Sequence, residues 1–108
     1  MVATAGNAWH VYLIRCASGD LYTGITLDVT RRLEQHAGGR GSRFLRGKGP
    51  LELAWSEPVG DRGLAGRIEY RLRRLARTDK QALAAGRITL AEIFPDLVDP
   101  QASGAAGA

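Results

Sequence analysis

Two short runs near the start limit the fold more than anything else in the chain. Trp9-His10-Val11-Tyr12-Leu13-Ile14-Arg15 is dense in aromatic and β-branched residues, and Leu21-Tyr22-Thr23-Gly24-Ile25 repeats that character. Ser18-Gly19-Asp20 lies between them and carries turn chemistry, with a glycine for an unusual φ and short polar side chains that bond their own backbone. The two runs are expected to pair as an antiparallel hairpin. An isolated hairpin is barely stable in water, so the remaining residues must supply a further strand and a cover.

They do so in order. Asp28 is a plausible N-cap for a helix over residues 29–37 that ends at Gly38-Gly39, with Val29, Leu33 and Ala37 at helical spacing. Residues 38–50 read as a Gly- and Arg-rich loop. Leu51-Glu52-Leu53-Ala54-Trp55-Ser56 alternates as a third strand. Asp61 caps a longer helix over residues 62–77, where Leu64, Ile68, Leu72 and Leu75 form one apolar stripe. Two short helices are expected near residues 80–85 and 89–94. The order β-β-α-β-α-α predicts an α+β fold, a three-stranded antiparallel sheet flanked by helices. One domain over residues 7–95 is expected, followed by a low-complexity tail over residues 96–108 that reads as disordered.

Composition narrows the function classes. A chain of 108 residues suits one domain with one modest core. Cys16 is the single cysteine, which rules out an internal disulfide or a cysteine-based metal cluster and leaves it as a small apolar strand residue. No run approaches the ~18 apolar residues of a membrane span. Met1 to Ala8 lacks Lys, Arg and a long apolar stretch, so it does not read as a signal peptide, and a cytoplasmic location is expected. The net charge of +4 favours a polyanionic partner. Only Lys48 and Lys80 are lysine; the other cations are arginine, which suits bidentate phosphate contacts and equally suits a GC-rich genome.

Two segments concentrate the charge. Arg40, Arg43, Arg46 and Lys48 sit in the glycine-rich loop, where backbone N–H groups can approach a ligand closely. The loop can bind phosphates, or it can be a solvated loop that is merely basic. Its spacing is not that of a P-loop. The helix over residues 62–77 carries six arginines and a single acid, Glu69, on the margin of the apolar stripe. A carboxylate partly shielded from water needs a positive partner. Arg73 at i+4 is the plain candidate and a metal ion the other; the residues alone favour the ion pair. On the first helix Arg32 and His36 share a face, while Tyr12 and Tyr22 sit on the strands, where tyrosine is common as a half-buried core residue.

Taken together these residues resemble the GIY-YIG nuclease family. Val11-Tyr12-Leu13 followed by Leu21-Tyr22-Thr23-Gly24-Ile25-Thr26 is similar to the paired strands that give the family its name. Arg32 matches the family's helix arginine, His36 a histidine present in some branches, and Glu69 the metal-binding glutamate. The resemblance is greatest to the small stand-alone UPF0213, or YhbQ-like, branch, and it runs from Trp9 to about Arg77. It includes Leu-Arg-Gly-Lys-Gly and Pro-Val-Gly-Asp-Arg. The sequence departs in four ways. His10 stands where the first motif usually has glycine, and Thr23 replaces the middle isoleucine. Ile25 follows Gly24 where some members carry a lysine that contacts phosphate, and a later asparagine has only Gln81 as a loose counterpart.

The resemblance implies a metal-dependent endonuclease acting on nucleic acid, with DNA as the expected polymer. Tyr12, Tyr22, Arg32, His36 and Glu69 become the candidate catalytic residues. Glu69 would hold one Mg²⁺ or Mn²⁺, and Arg32 would clamp the scissile phosphate. Tyr12 would act as general base or relay, and Tyr22 would orient water or phosphate. A free tyrosine has a pKa near ~10, so this role calls for nearby cations or for His36 to help remove the proton. Arg40, Arg43, Arg46 and Lys48 become candidate nucleic-acid-binding residues. The alternative is a non-catalytic nucleic-acid-binding module that retains the fold.

Overall fold

A computed structural model describes residues 8–98. β1 spans Trp9–Arg15 and β2 spans Leu21–Thr26, joined through the expected turn. α1 follows over Val29–Ala37, with the Asp28 side chain accepting from the Arg31 N–H at 3.0 Å. β3 covers Glu52–Gly60, α2 Arg62–Arg73, α3 Arg77–Ala84 and α4 Leu90–Ile93. The sheet is antiparallel with strand order β2-β1-β3, and helices cover it as the α+β reading expects.

β1 is the central strand and is buried on both faces. Val11 and Leu13 face a large core with Ala65, Ile68 and Leu72 of α2, Leu83 of α3, and Leu90 and Phe94. Tyr12 and Ile14 face a smaller core with Cys16 and Leu45, against which Tyr22 and Leu33 pack. Cross-strand partners in an antiparallel pair share a face. Tyr12 pairs with Gly24 and Ile14 with Tyr22, so both tyrosines lie on the face covered by α1 and the glycine-rich loop.

Several boundaries differ from the sequence expectation. α2 stops at Arg73 rather than running to residue 77, and α3 starts at Arg77 rather than near 80. No glycine or proline marks the break; the Arg74 N–H donates to the Arg71 carbonyl and the Leu75 N–H to that of Leu72, tightening the last turn, and Ala76 turns extended. β3 continues past Ser56 through Pro58, which an edge strand tolerates because one side of its ladder is free. The glycine-rich loop contains a 3₁₀ turn over Arg43–Leu45, capped by the Ser42 side chain accepting from Phe44 N–H. Packing runs to the last described residue. Arg71 donates twice to Asp96, at 2.9 and 2.8 Å, and Val98 is buried. Residues 99–108 of the expected tail, and residue 7 at the expected domain start, lie outside the described residues. No helix among the described residues is long and apolar enough to cross a membrane.

Candidate active site

A cleft of about 560 Å³ opens where β2 leads into α1, with α2 along its other side. Tyr12, Tyr22, Arg32 and Glu69 all line it. The fifth candidate, His36, lies behind this wall and is 2% exposed. The four lining residues come from four different elements, brought together by the hairpin and the two helices that pack on its opposite faces.

Tyr12 is placed by its cross-strand neighbour. Gly24 leaves room for the ring: a Cβ at that position would lie 2.3 Å from the Tyr12 hydroxyl oxygen and 2.4 Å from Cζ. The hydroxyl is then fixed by His36, whose Nε2 lies 3.0 Å from the tyrosine oxygen. The other ring nitrogen, Nδ1, accepts the backbone N–H of Ser42 at 3.1 Å. An N–H donor can bond only an unprotonated ring nitrogen, so Nδ1 carries no proton and the neutral imidazole carries it on Nε2. Nε2 therefore donates to the Tyr12 oxygen. Burial, followed by the nearby Arg32 charge, holds the His36 pKa below its ordinary value of 6.5, consistent with a neutral ring.

The Tyr12 hydroxyl is pushed above its ordinary value of 10.0. Burial is the main cause; the Arg32 guanidinium beside it opposes the rise, and the Tyr22 and Glu69 charges add to it. Tyr12 is accordingly a protonated phenol at neutral pH in the free protein. Arg32 is steadied by Gln35, whose Oε1 accepts from Nη1 at 3.0 Å.

Glu69 has a side chain 22% exposed and bonds Arg73 Nη2 through Oε2 at 3.1 Å, the expected i,i+4 pair. Its Oε1 has no hydrogen-bond partner among the described residues. No group of three or more His, Cys, Asp or Glu is gathered among them either.

The basic loop occupies a different place from the cleft. Arg40, Arg43, Arg46 and Lys48 are exposed and none lines it. The loop instead backs the site, since Ser42 fixes His36 and Leu45 packs below Tyr12 and Ile14. A Cβ on Gly41 would sit 2.2 Å from His36 Nδ1, so the loop needs glycine there for this approach. The cations lining the cleft beside Arg32 are Arg31 and Arg62, and Arg62 lies over the Trp9 ring at 5.3 Å. Sequence reasoning missed both. Arg31 carried a signal, as the neighbour of a singled-out arginine on the turn after an N-cap; Arg62 was one of six on its helix. Gln81 does not line the cleft.

A family profile described as the GIY-YIG catalytic domain matches residues 8–82. The UPF0213 protein YhbQ of Escherichia coli O1:K1 is 52% identical over 93 residues, covering 86% of this chain and 93% of its own. A UPF0213 protein of Vibrio cholerae O1 El Tor is 52% identical over 96 residues, covering 86% of this chain and 95% of its own. Among solved structures, the solution NMR structure of the UPF0213 protein BH0048 from Bacillus halodurans is similar at 38% identity. The match spans 71% of this chain and 82% of that one, with a TM-score of 0.47.

Proposed function

The chain belongs to the family of the GIY-YIG catalytic domain, and from that premise we propose that it is a metal-dependent endonuclease hydrolysing nucleic-acid phosphodiester bonds, with DNA as the polymer. One observation carries the reading: Tyr12, Tyr22, Arg32 and Glu69 line a single cleft.

Phosphodiester hydrolysis needs a deprotonated water, stabilised phosphoryl oxygens and help for the leaving oxygen. Arg32 binds the scissile phosphate through charge-assisted hydrogen bonds and stabilises the charge that builds on it. Arg31 and Arg62 hold the neighbouring phosphates. Tyr12 takes the proton of the attacking water once it is a phenolate, and Tyr22 orients the water or the phosphate. His36 does not remove the Tyr12 proton, because Nε2 already bears one. It donates to the phenolate oxygen and so stabilises the charged form, as Arg32 does. The Tyr12 proton leaves into the cleft, toward water or a phosphate oxygen.

Glu69 would be a solitary carboxylate ligand. That suits Mg²⁺ or Mn²⁺, hard ions that keep several waters and bind proteins through one or two carboxylates. Glu69 Oε1 is open to such an ion while Oε2 stays with Arg73. A bound dication would support the leaving oxygen and cancel the repulsion that the Glu69 charge exerts on a Tyr12 phenolate.

The test is cleavage of single-stranded, duplex, branched and flapped DNA with and without Mg²⁺, by the wild type and by Glu69→Gln. The variant keeps the side chain's size but loses the charge a hard dication prefers. Folding and binding are expected to survive while Mg²⁺-dependent cleavage disappears. A variant that still cuts near the normal rate overturns the metal role. A wild type that binds every substrate and cuts none makes the chain a binding module instead.

A further inference from the structure

A second groove, about 330 Å³, adjoins the cleft and shares Tyr22 with it. Phe44 projects into it from the 3₁₀ turn. Its ring stacks on Tyr22, with centroids 5.7 Å apart and planes 22° from parallel, yet Phe44 is 49% exposed. Anchoring the turn does not account for this aromatic, because Leu45, 1% exposed, performs that task. A single exposed apolar residue is ordinary on a protein surface. This one is ringed by positive charge: Lys48 Nζ is 4.9 Å from the Phe44 ring centre, Arg73 lies 6.0 Å from that of Tyr22, and Lys80 lines the groove. Thr23, also lining it, has a buried hydroxyl without a hydrogen-bond partner.

A flat apolar ring among flexible cations is what a nucleotide requires: a π-face for the base and positive charge for the flanking phosphates. On the nuclease reading above, we propose that this groove, with the Phe44 face beside it that Tyr22 leaves free, is a subsite for one unpaired nucleotide beside the scissile phosphate, its base stacked on that face and its phosphates met by Lys48, Arg73 and Lys80. Lys48 now covers the ring. An exposed cation–π contact is weaker than stacking of a base on an aromatic side chain. The base therefore displaces the ammonium, which moves out to a phosphate on its exposed stem. A base locked inside a duplex offers no free face, so the subsite selects a strand that is single, flapped or frayed at the cut.

The experiment separates base from phosphate. A 12-nucleotide oligodeoxythymidine and an abasic strand of the same length and charge are bound to the full chain, with a chelator present to prevent cutting, and followed by fluorescence anisotropy. Wild type is expected to prefer the base-bearing strand by about 5- to 150-fold, the range for one stacked base. Phe44→Ala and Phe44→Leu lose that preference, whereas Phe44→Trp keeps it. Leucine preserves apolar bulk without a π-face, so it replaces the alanine variant should that one fail to fold. Equal affinity of wild type for both strands overturns the subsite, as does a preference that survives in Phe44→Leu. Failure of the nuclease reading is seen elsewhere, in a protein that shows the base preference and cuts nothing when Mg²⁺ is restored.

Discussion

Gly24→Ala is the smallest change that displaces the Tyr12 hydroxyl while leaving Tyr12 itself in the chain. The added methyl would meet the ring at 2.4 Å from Cζ and 2.9 Å from Cε1. An ordinary carbon contact is about 3.5–4.0 Å, so the ring edge must retreat by about 1 Å. The ring has little room to yield, being 2% exposed and held at its tip by His36. Overpacking of this kind costs about 1–3 kcal/mol, and stretching the bond to His36 adds about 0.5–1.5 kcal/mol. The expected destabilisation is about 2–4 kcal/mol by urea denaturation. A misplacement of about 1 Å at a reacting group lowers rate by about 10²-fold, so cleavage by the surviving folded protein should fall by that order. Tyr12→Leu, which lacks Cζ and the hydroxyl, provides the control. In that background Gly24→Ala should cost far less, and the double-mutant cycle should return a coupling above about 0.5 kcal/mol. Additive effects, or a Gly24→Ala protein as stable as wild type, would refute the placement of the ring against this glycine.

Two further predictions concern the histidine. Ser42→Pro deletes the N–H that bonds His36 Nδ1, and its φ of −71° already suits proline; Ser42→Ala keeps that N–H and removes only the cap on Phe44. Nitrogen-15 shifts of the imidazole should show one tautomer in wild type and in Ser42→Ala and a mixture in Ser42→Pro, and an unchanged pattern in the proline variant would sink the tautomer assignment. Because the folded His36 pKa is depressed, the unfolded chain takes up a proton that the folded one refuses as pH drops below about 6.5. Stability from this ring is thus complete above that pH and lost progressively below it. Urea midpoints at pH 7.5 and 5.5 should diverge more for wild type than for His36→Gln, and equal divergence would show that the ring titrates freely.

Much of the architecture was legible because it rests on local signals. The hairpin announced itself through β-branched runs around Ser-Gly-Asp, and α1 through Asp28 and the Gly38-Gly39 pair, so its bounds were read correctly. The break between α2 and α3 was not legible, since the stripe continues through Leu75 and the tightened turn at Arg74 and Leu75 that ends the helix carries no breaker residue. The meeting of Tyr12, Tyr22, Arg32 and Glu69 in one cleft followed from family resemblance; periodicity alone left Glu69 as half of an ion pair. The basic loop was only half legible. Charge and glycine content pointed to phosphate binding, while the second task of its glycines, the close approach of Gly41 to His36, is one that no composition reveals.

The bonding of one tyrosine oxygen also bears on how such a chain behaves before it is complete. β1 supplies the ring, β2 the glycine beneath it, α1 the imidazole, and a backbone N–H beyond α1 sets the imidazole's proton. A nascent chain on the ribosome that has formed only the hairpin has a tyrosine like any other in water. So does a chain partly unravelled by heat or a protease, once α1 lifts away. On the proposed mechanism, hydrolytic competence is a property of the assembled tertiary structure, and a fragment that lacks α1 or has lost its packing is expected to be inert towards the nucleic acid around it.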